Sequence, residues 1–146
     1  MGKVLNISEL EKLLIDLKAK NIVFTNGCFD ILHPGHIHIL EVSKSYGDIL
    51  IVGVNSDDSI KKLKGPTRPK ISQKDRLRIL SSIKYVDYVL LFEEETPLKL
   101  IEKIKPNFLV KGGDYSLEDI VGAEFVENNG GQVKICLLYT SDAADD

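Results

Sequence analysis

The chain is 146 residues long, with 43% apolar and 28% charged side chains and 22 acidic against 19 basic residues. A chain of this size removes roughly 70% of its unfolded surface from water on folding, so one unstapled domain is expected. The charge of -3 argues against a general nucleic-acid binder. No apolar run approaches the ~20 residues of a membrane span. No signal-peptide pattern follows Met1. Two cysteines, Cys28 and Cys136, make a disulfide scaffold unexpected and fit a reducing compartment, so a cytoplasmic location is expected.

Taken in chain order, Ser8 is read as the cap of a first helix running to about Ala19. Glu11 completes its capping box, and Leu10, Leu13, Leu14 and Leu17 form one apolar face. A short apolar run, Ile22 to Phe24, leads into the turn-like Thr25-Asn26-Gly27. A helix then follows His33-Pro34-Gly35-His36 and ends near Gly47. Ile49 to Val54 is a β-branched run suited to a strand buried on both faces. The loop Gly65-Pro66-Thr67-Arg68-Pro69 leads to a helix capped by Ser72. Val86 to Phe92 reads as a strand, and Thr96-Pro97 starts a helix that stops before Pro106. Phe108 to Val110 is the next strand, followed by Gly112-Gly113-Asp114. A helical stretch to about Asn129 ends at Gly130-Gly131, and Gln132 to Ile135 opens a last strand. This alternation predicts an α/β fold: a Rossmann-like, doubly wound sheet of about five parallel strands with helices on both faces. Ligands bind such sheets beyond the carboxyl ends of the strands, so the residues after each apolar run are the informative ones.

The segment Thr25-Asn26-Gly27-Cys28-Phe29-Asp30 to His33-Pro34-Gly35-His36 carries the chemistry. With Pro34 as first helical residue, His33 is the cap and His36 lies in the first turn on the same face. First-turn amides lack intrahelical partners and carry the positive end of the helix dipole, which favours an anion. Gly27 and Gly35 let a ligand approach the backbone closely. Two imidazoles beside such amides suit charge that builds up on phosphorus. Two other readings stay open at this point. The histidines are polar surface residues, or they form a metal site with Asp30 or His38. His38 otherwise faces another side of the helix, and Cys28 is read as a packing residue whose backbone matters more than its thiol. Between Lys61 and Arg78 lie eight basic residues and one acid, Asp75. Lys74 and Arg76 oppose the dipole at the start of their helix, a conflict that a phosphate would relieve. The remaining basic side chains are read as a solvated face.

The string Gly27-x-Phe29-Asp30-x-x-His33-x-Gly35-His36 resembles the signature of the cytidylyltransferase-like nucleotidyltransferase superfamily. That resemblance implies that His33 and His36 contact nucleotide phosphates and stabilise the transition state at the α-phosphorus. It also implies a phosphate-binding Lys64, ahead of Gly65, and Arg76 and Asp57 near the nucleotide. Lys111-Gly112-Gly113-Asp114-Tyr115 is similar to the adenylyltransferase domain that activates D-glycero-β-D-manno-heptose 1-phosphate, on the route to the ADP-heptose of lipopolysaccharide. The implied catalytic set is therefore His33, His36 and Lys64. The implied nucleotide site comprises Thr25, Asn26, Gly27, Cys28, Phe29, Asp30, Gly35, Asp57, Arg76, Lys111, Gly112, Gly113 and Asp114. Asp30, Asp57 and Asp114 are assigned to sugar, nucleotide or turn geometry.

The implied substrates are ATP and a sugar 1-phosphate. Mg²⁺ is expected as an ion held mainly by the nucleotide phosphates, with no all-protein metal site. A homodimer is a further expectation, since relatives are often dimers, and many relatives are fused behind a sugar kinase. A cytidylyltransferase acting on glycerol 3-phosphate or a similar alcohol phosphate is the alternative within enzymes. A nucleotide sensor or a histidine metal module is the alternative outside them. Relatives continue past the last strand into a Ser/Thr-containing turn and a final helix. Here the ending from Cys136 to Asp146 resembles a translated sequencing adapter, so residues 1–135 are read as the domain and 136–146 as a non-native tail.

Overall fold

The computed structural model describes residues 2–113 and 116–136. Asp114 and the stretch 137–146, on which two of the expectations above fall, lie outside the described residues. A short strand, β1 (Lys3–Leu5), precedes helix α1 (Ile7–Asp16). The capping box of α1 lies two residues earlier than expected. Asn6 Oδ1 accepts from the Glu9 amide at 2.8 Å, and Glu9 Oε1 accepts from the Asn6 amide at 3.0 Å. The reason is β1 itself: strand pairing ends at Leu5, so the chain turns at the next residue able to cap. The helix also stops at Asp16, short of the expected Ala19.

The chain continues through β2 (Ile22–Gly27), α2 (Pro34–Ser45), β3 (Ile49–Asn55), α3 (Asp57–Lys64) and α4 (Gln73–Ser81). It then runs through β4 (Tyr88–Phe92), α5 (Leu98–Ile104), β5 (Phe108–Gly112), a 3₁₀ turn (Leu117–Asp119), α6 (Ala123–Asn128) and β6 (Gln132–Cys136). Ser72 caps α4, as expected, by accepting from the Asp75 amide. At α5 the helix begins one residue later than expected, with Pro97 as cap. Among the described residues no helix is long and apolar enough to cross a membrane.

All six strands are parallel, in the order β1-β4-β3-β2-β5-β6. The sixth strand, beyond the five expected, is β1. Three residues give no periodic signal of their own, and β1 is fixed by pairing with β4 from Lys3↔Tyr88 to Leu5↔Leu90. Side chains alternate between two buried layers, as the two-residue strand period requires. Phe24, Ile51, Leu90 and Leu109 meet Leu10, Leu100, Ile101 and Val126 on one face. Val23, Leu50, Val52, Val89 and Val110 meet Ile39, Leu40 and Leu80 on the other. In β3, Leu50, Ile51, Val52 and Val54 are all fully buried, as the continuous apolar run predicts.

The order of strands positions the site. From β2 the sheet grows through β3 and β4 to one side, then resumes at β5 on the other side. This reversal is the switch point at which open α/β sheets bind ligands. The β2–β5 register pairs Val23↔Phe108 and Phe24↔Leu109. Beyond it, Thr25 Oγ1 donates to the Val110 carbonyl at 2.9 Å.

Candidate active site

The carboxyl ends of β2, β3, β4 and β5 open onto a cleft of about 340 Å³. Asn26, Gly27 and Cys28 line it from β2 and its turn, Asn55 from β3, Phe92 from β4 and Lys111 from β5. Lys64, at the end of α3, closes one side together with Leu63. Thr96, Pro97, Ile120 and Val121 supply a mixed apolar wall. Of the expected site residues, the cleft thus gathers Asn26, Gly27, Cys28, Lys64 and Lys111.

The histidine turn follows Cys28 in the chain but does not line this cleft; His33 lines a second groove. His33 is the N-cap of α2 and Pro34 its first residue, as the sequence predicts. His33 Nδ1 accepts the Gly35 amide at 3.1 Å, and His36 Nδ1 accepts the His33 amide at 3.1 Å. The two imidazoles thus form a reciprocal capping box, the role usually filled by Ser and Glu. Their ring centroids lie 3.9 Å apart. A nitrogen that accepts a hydrogen bond carries no proton, so the neutral rings hold their protons on Nε2. The cap therefore fixes two Nε2–H donors at the positive end of a twelve-residue helix. His36 is 3% exposed, while His33 opens onto a neighbouring groove with Leu32, Ile37, His38 and Glu41. Gly35, in the first turn of α2, is buried and supplies one of the cap's amides.

Between the cleft and the histidines runs the Gly27–Phe29 backbone. Phe29 adopts φ +50°, a left-handed conformation that costs a non-glycine residue energy and persists only where the surroundings enforce it. Its buried ring packs 5.6 Å from that of His36 and against Gly27, where a Cβ would come within 3.0 Å of Phe29 Cε2. Phe29 thus couples the cleft floor to the histidine turn.

Six of the expected nucleotide contacts have partners within the protein. Arg76, expected near the nucleotide, has a fully buried side chain. Its Nη1 donates to the Cys28 carbonyl at 2.7 Å and the Asn55 carbonyl at 2.8 Å, and Nε donates to the Ile71 carbonyl at 2.9 Å. Nη2 pairs with Asp57 Oδ1 at 2.8 Å. Arg76 and Asp57 therefore tie the ends of β2 and β3 together beneath the cleft, and the helix-dipole conflict is offset by protein carbonyls and Asp57. Thr25 is committed to Val110, as described. Asp30, whose side chain is 2% exposed, is bonded to the segment 68–71. Burial works to raise its pKa, but hydrogen bonds from the Lys70 and Ile71 amides and from Arg68 outweigh it and hold the pKa below its ordinary value. Gly112 pairs with Cys136 in the sheet, and the Gly113 amide donates to the Cys136 carbonyl. Cys136, assigned above to the tail, is the final residue of β6.

Sequence reasoning missed Asn55, Phe92, Thr96 and Val121 as cleft residues. The rule that ligands meet the ends of strands could have flagged Asn55 and Phe92. Val121 reaches the cleft only through tertiary packing.

Comparison with known proteins agrees with this geometry. The profile of the cytidylyltransferase-like family matches residues 24–136. The bifunctional protein HldE of Geobacter sulfurreducens is 50% identical over 136 residues, 92% of this chain and 28% of that protein. HldE of Aliarcobacter butzleri is 58% identical over 121 residues, 82% of this chain and 25% of that protein. The chain thus spans about a quarter of the length of these curated relatives. Among solved structures, the lipopolysaccharide core biosynthesis protein of Thermoplasma volcanium is 34% identical, with a TM-score of 0.65 over 84% of this chain and 99% of that one. Pantoate-beta-alanine ligase of Francisella tularensis, complexed with beta-gamma ATP and beta-alanine, shares the fold at 18% identity and a TM-score of 0.69, over 100% of this chain and 74% of that one. Sheet order, histidine cap and sequence relatives together establish that the chain belongs to the cytidylyltransferase-like family of nucleotidyltransferases.

Proposed function

We propose that this domain transfers AMP from ATP to a sugar 1-phosphate, D-glycero-β-D-manno-heptose 1-phosphate, giving ADP-heptose and pyrophosphate in the cytoplasm. The observation that carries the reading is the pair of Nδ1-anchored imidazoles, which turns His33 and His36 into fixed Nε2–H donors at a helix N-terminus. Such donors are worth most where charge develops, on the oxygens around a phosphorus under attack. The names of the relatives, HldE and a lipopolysaccharide core biosynthesis protein, favour the sugar acceptor over an alcohol phosphate.

In this reaction an oxygen of the sugar 1-phosphate forms a bond to the α-phosphorus of ATP as the bond from that phosphorus to the α,β-bridging oxygen breaks. The electron pair leaves on pyrophosphate. The attacking oxygen is already anionic, so no general base is required, and catalysis rests on positioning and charge neutralisation. The nucleoside occupies the cleft against Asn26–Cys28 and Lys111, and the triphosphate crosses the 27–29 backbone toward the histidines. His33 and His36 donate to the α- and β-phosphate oxygens, and the Lys64 ammonium neutralises charge on the transferring and leaving phosphates.

The described residues contain no group of three His, Cys, Asp or Glu side chains arranged to hold a metal ion. Both Nδ1 atoms are engaged in the cap. Mg²⁺ carried on the phosphates would supply further charge neutralisation.

A pyrophosphate-release screen tests the proposal, pairing ATP and CTP with heptose 1-phosphate and glycerol 3-phosphate. Release with ATP and the sugar phosphate is the expected result. Release only with CTP and the alcohol phosphate would transfer the domain to the other branch of the family.

A further inference from the structure

We propose that Arg68 is a further phosphate-binding cation of this site and that Asp30, rather than touching substrate, is the positioning residue that presents it. The inference rests on the nucleotidyl-transfer reading above. Its starting point is the bonding of Asp30. Oδ1 accepts the Lys70 amide at 2.8 Å and the Ile71 amide at 2.9 Å, while Oδ2 accepts the Lys70 amide at 2.9 Å and Arg68 Nε at 2.6 Å. A carboxylate has about four lone-pair positions, and three N–H donors, the Lys70 amide shared between both oxygens, take up most of them. This buried carboxylate is committed to the segment 68–71.

The pairing with Arg68 is made through Nε, which leaves the Nη fork outside it. That fork is the part of a guanidinium that matches a phosphate bidentately. A short bond to a fixed carboxylate removes much of the rotamer freedom that a phosphate would otherwise have to freeze. The Arg68 side chain is 29% exposed, so it is reachable from solvent.

Position in the chain ties the pair to the site. Asp30 lies in the turn between Cys28, which lines the cleft, and His33. Arg68 follows Lys64, a cleft residue, by a single turn closed by the Arg68 amide donating to the Gly65 carbonyl. The Ile71 backbone is held at both ends, its amide by Asp30 and its carbonyl by Arg76, which also grips the Cys28 carbonyl. The segment carrying Arg68 is therefore clamped to the same turn that carries the histidines. From the sequence alone Arg68 reads as part of the solvated basic face.

The test is steady-state kinetics of pyrophosphate release on Arg68→Ala, Arg68→Lys and Asp30→Asn, with ATP and sugar 1-phosphate varied separately. Calorimetric titration with ATP and with pyrophosphate and a thermal melt accompany each variant. Loss of one charge-assisted bidentate contact is expected to raise KM for one substrate about tenfold or more in Arg68→Ala. Arg68→Lys, which keeps the charge without the fork, should fall between Ala and the wild type. A rise in KM for ATP, with weaker pyrophosphate binding, places the fork on the triphosphate. A rise in KM for the sugar phosphate places it on the acceptor. Asp30→Asn should shift the same KM as Arg68→Ala, at any Mg²⁺ concentration. KM values within twofold of wild type in both Arg68 variants would overturn the proposal. An Asp30→Asn defect that excess Mg²⁺ repairs would overturn its positioning half. Should the wild type release no pyrophosphate, the reading of function fails, and pyrophosphate titration still decides the fate of Arg68. Unchanged pyrophosphate and ATP binding by Arg68→Ala in that case would remove it from the site.

Discussion

Replacing Arg76 with methionine separates a structural keystone from a nucleotide contact. Methionine approximates the length of the side chain but removes every donor. The Cys28, Asn55 and Ile71 carbonyls lose their guanidinium partner, and Asp57 loses its cation. An unsatisfied buried acceptor costs about 1–3 kcal/mol. Asp57, 31% exposed at its side chain, is largely rescued by water. Partial relaxation and regained apolar packing bring the expected net loss to about 3–5 kcal/mol, the usual range for removing one member of a buried ionic network. Against a total stability of about 5–15 kcal/mol this is large, and at about 3 °C per kcal/mol it lowers Tm by about 10–15 °C. Urea and thermal melts measure the loss, and an unchanged urea m-value confirms that two-state unfolding is being compared. A Tm within about 3 °C of wild type combined with lost ATP binding would refute the reasoning, because the guanidinium would then face ligand rather than backbone.

His33→Asn isolates chemistry from capping. Asparagine is a good N-cap, so stability should stay within a few tenths of a kcal/mol, while turnover falls by about 10²–10³ for want of the Nε2–H donor. Melts and pyrophosphate release on the same sample check both, and retained turnover would reduce His33 to a cap. Lys64→Met should leave Tm unchanged and lower turnover at least about tenfold, read in the same assay. Asp30 also predicts an acid limb. Its folded value lies below the ordinary 3.8, so its contribution is present above that pH and is lost as pH falls through the folded value. The stability gap between wild type and Asp30→Asn, followed by urea midpoints from about pH 6 downward, should therefore narrow below about pH 4.

What could be read from the sequence is what local rules specify. The histidine turn is local: a cap, a proline at the first helical position and a second ring three residues on fix its geometry within four positions. The doubly wound sheet follows from alternating apolar runs, and Ile49–Val54 announces its own burial. The partners of Asp30 and Arg76 are not local. Asp30 meets Arg68, Lys70 and Ile71 across 38 to 41 positions, and Arg76 meets Cys28 across 48. A sequence shows that these side chains are charged but not that tertiary folding buries them. Apart from Lys64, Lys74 and Arg76, the basic run therefore reads from sequence as one solvated face. In the structure it splits into a keystone at Arg76, a clamp at Arg68 and a cleft cation at Lys64. The edge strand β1 escaped because three residues carry no period, and its presence in turn moved the first helix cap from Ser8 to Asn6.

Nitrogen-15 NMR of the histidine rings, recorded with and without a non-hydrolysable ATP analogue, tests the central claim most directly. His33 and His36 are both expected as Nε2–H tautomers in the free protein, with both Nε2 resonances moving when the analogue binds. Nδ1–H tautomers in the free protein, or Nε2 resonances that stay in place at saturating analogue, would contradict it.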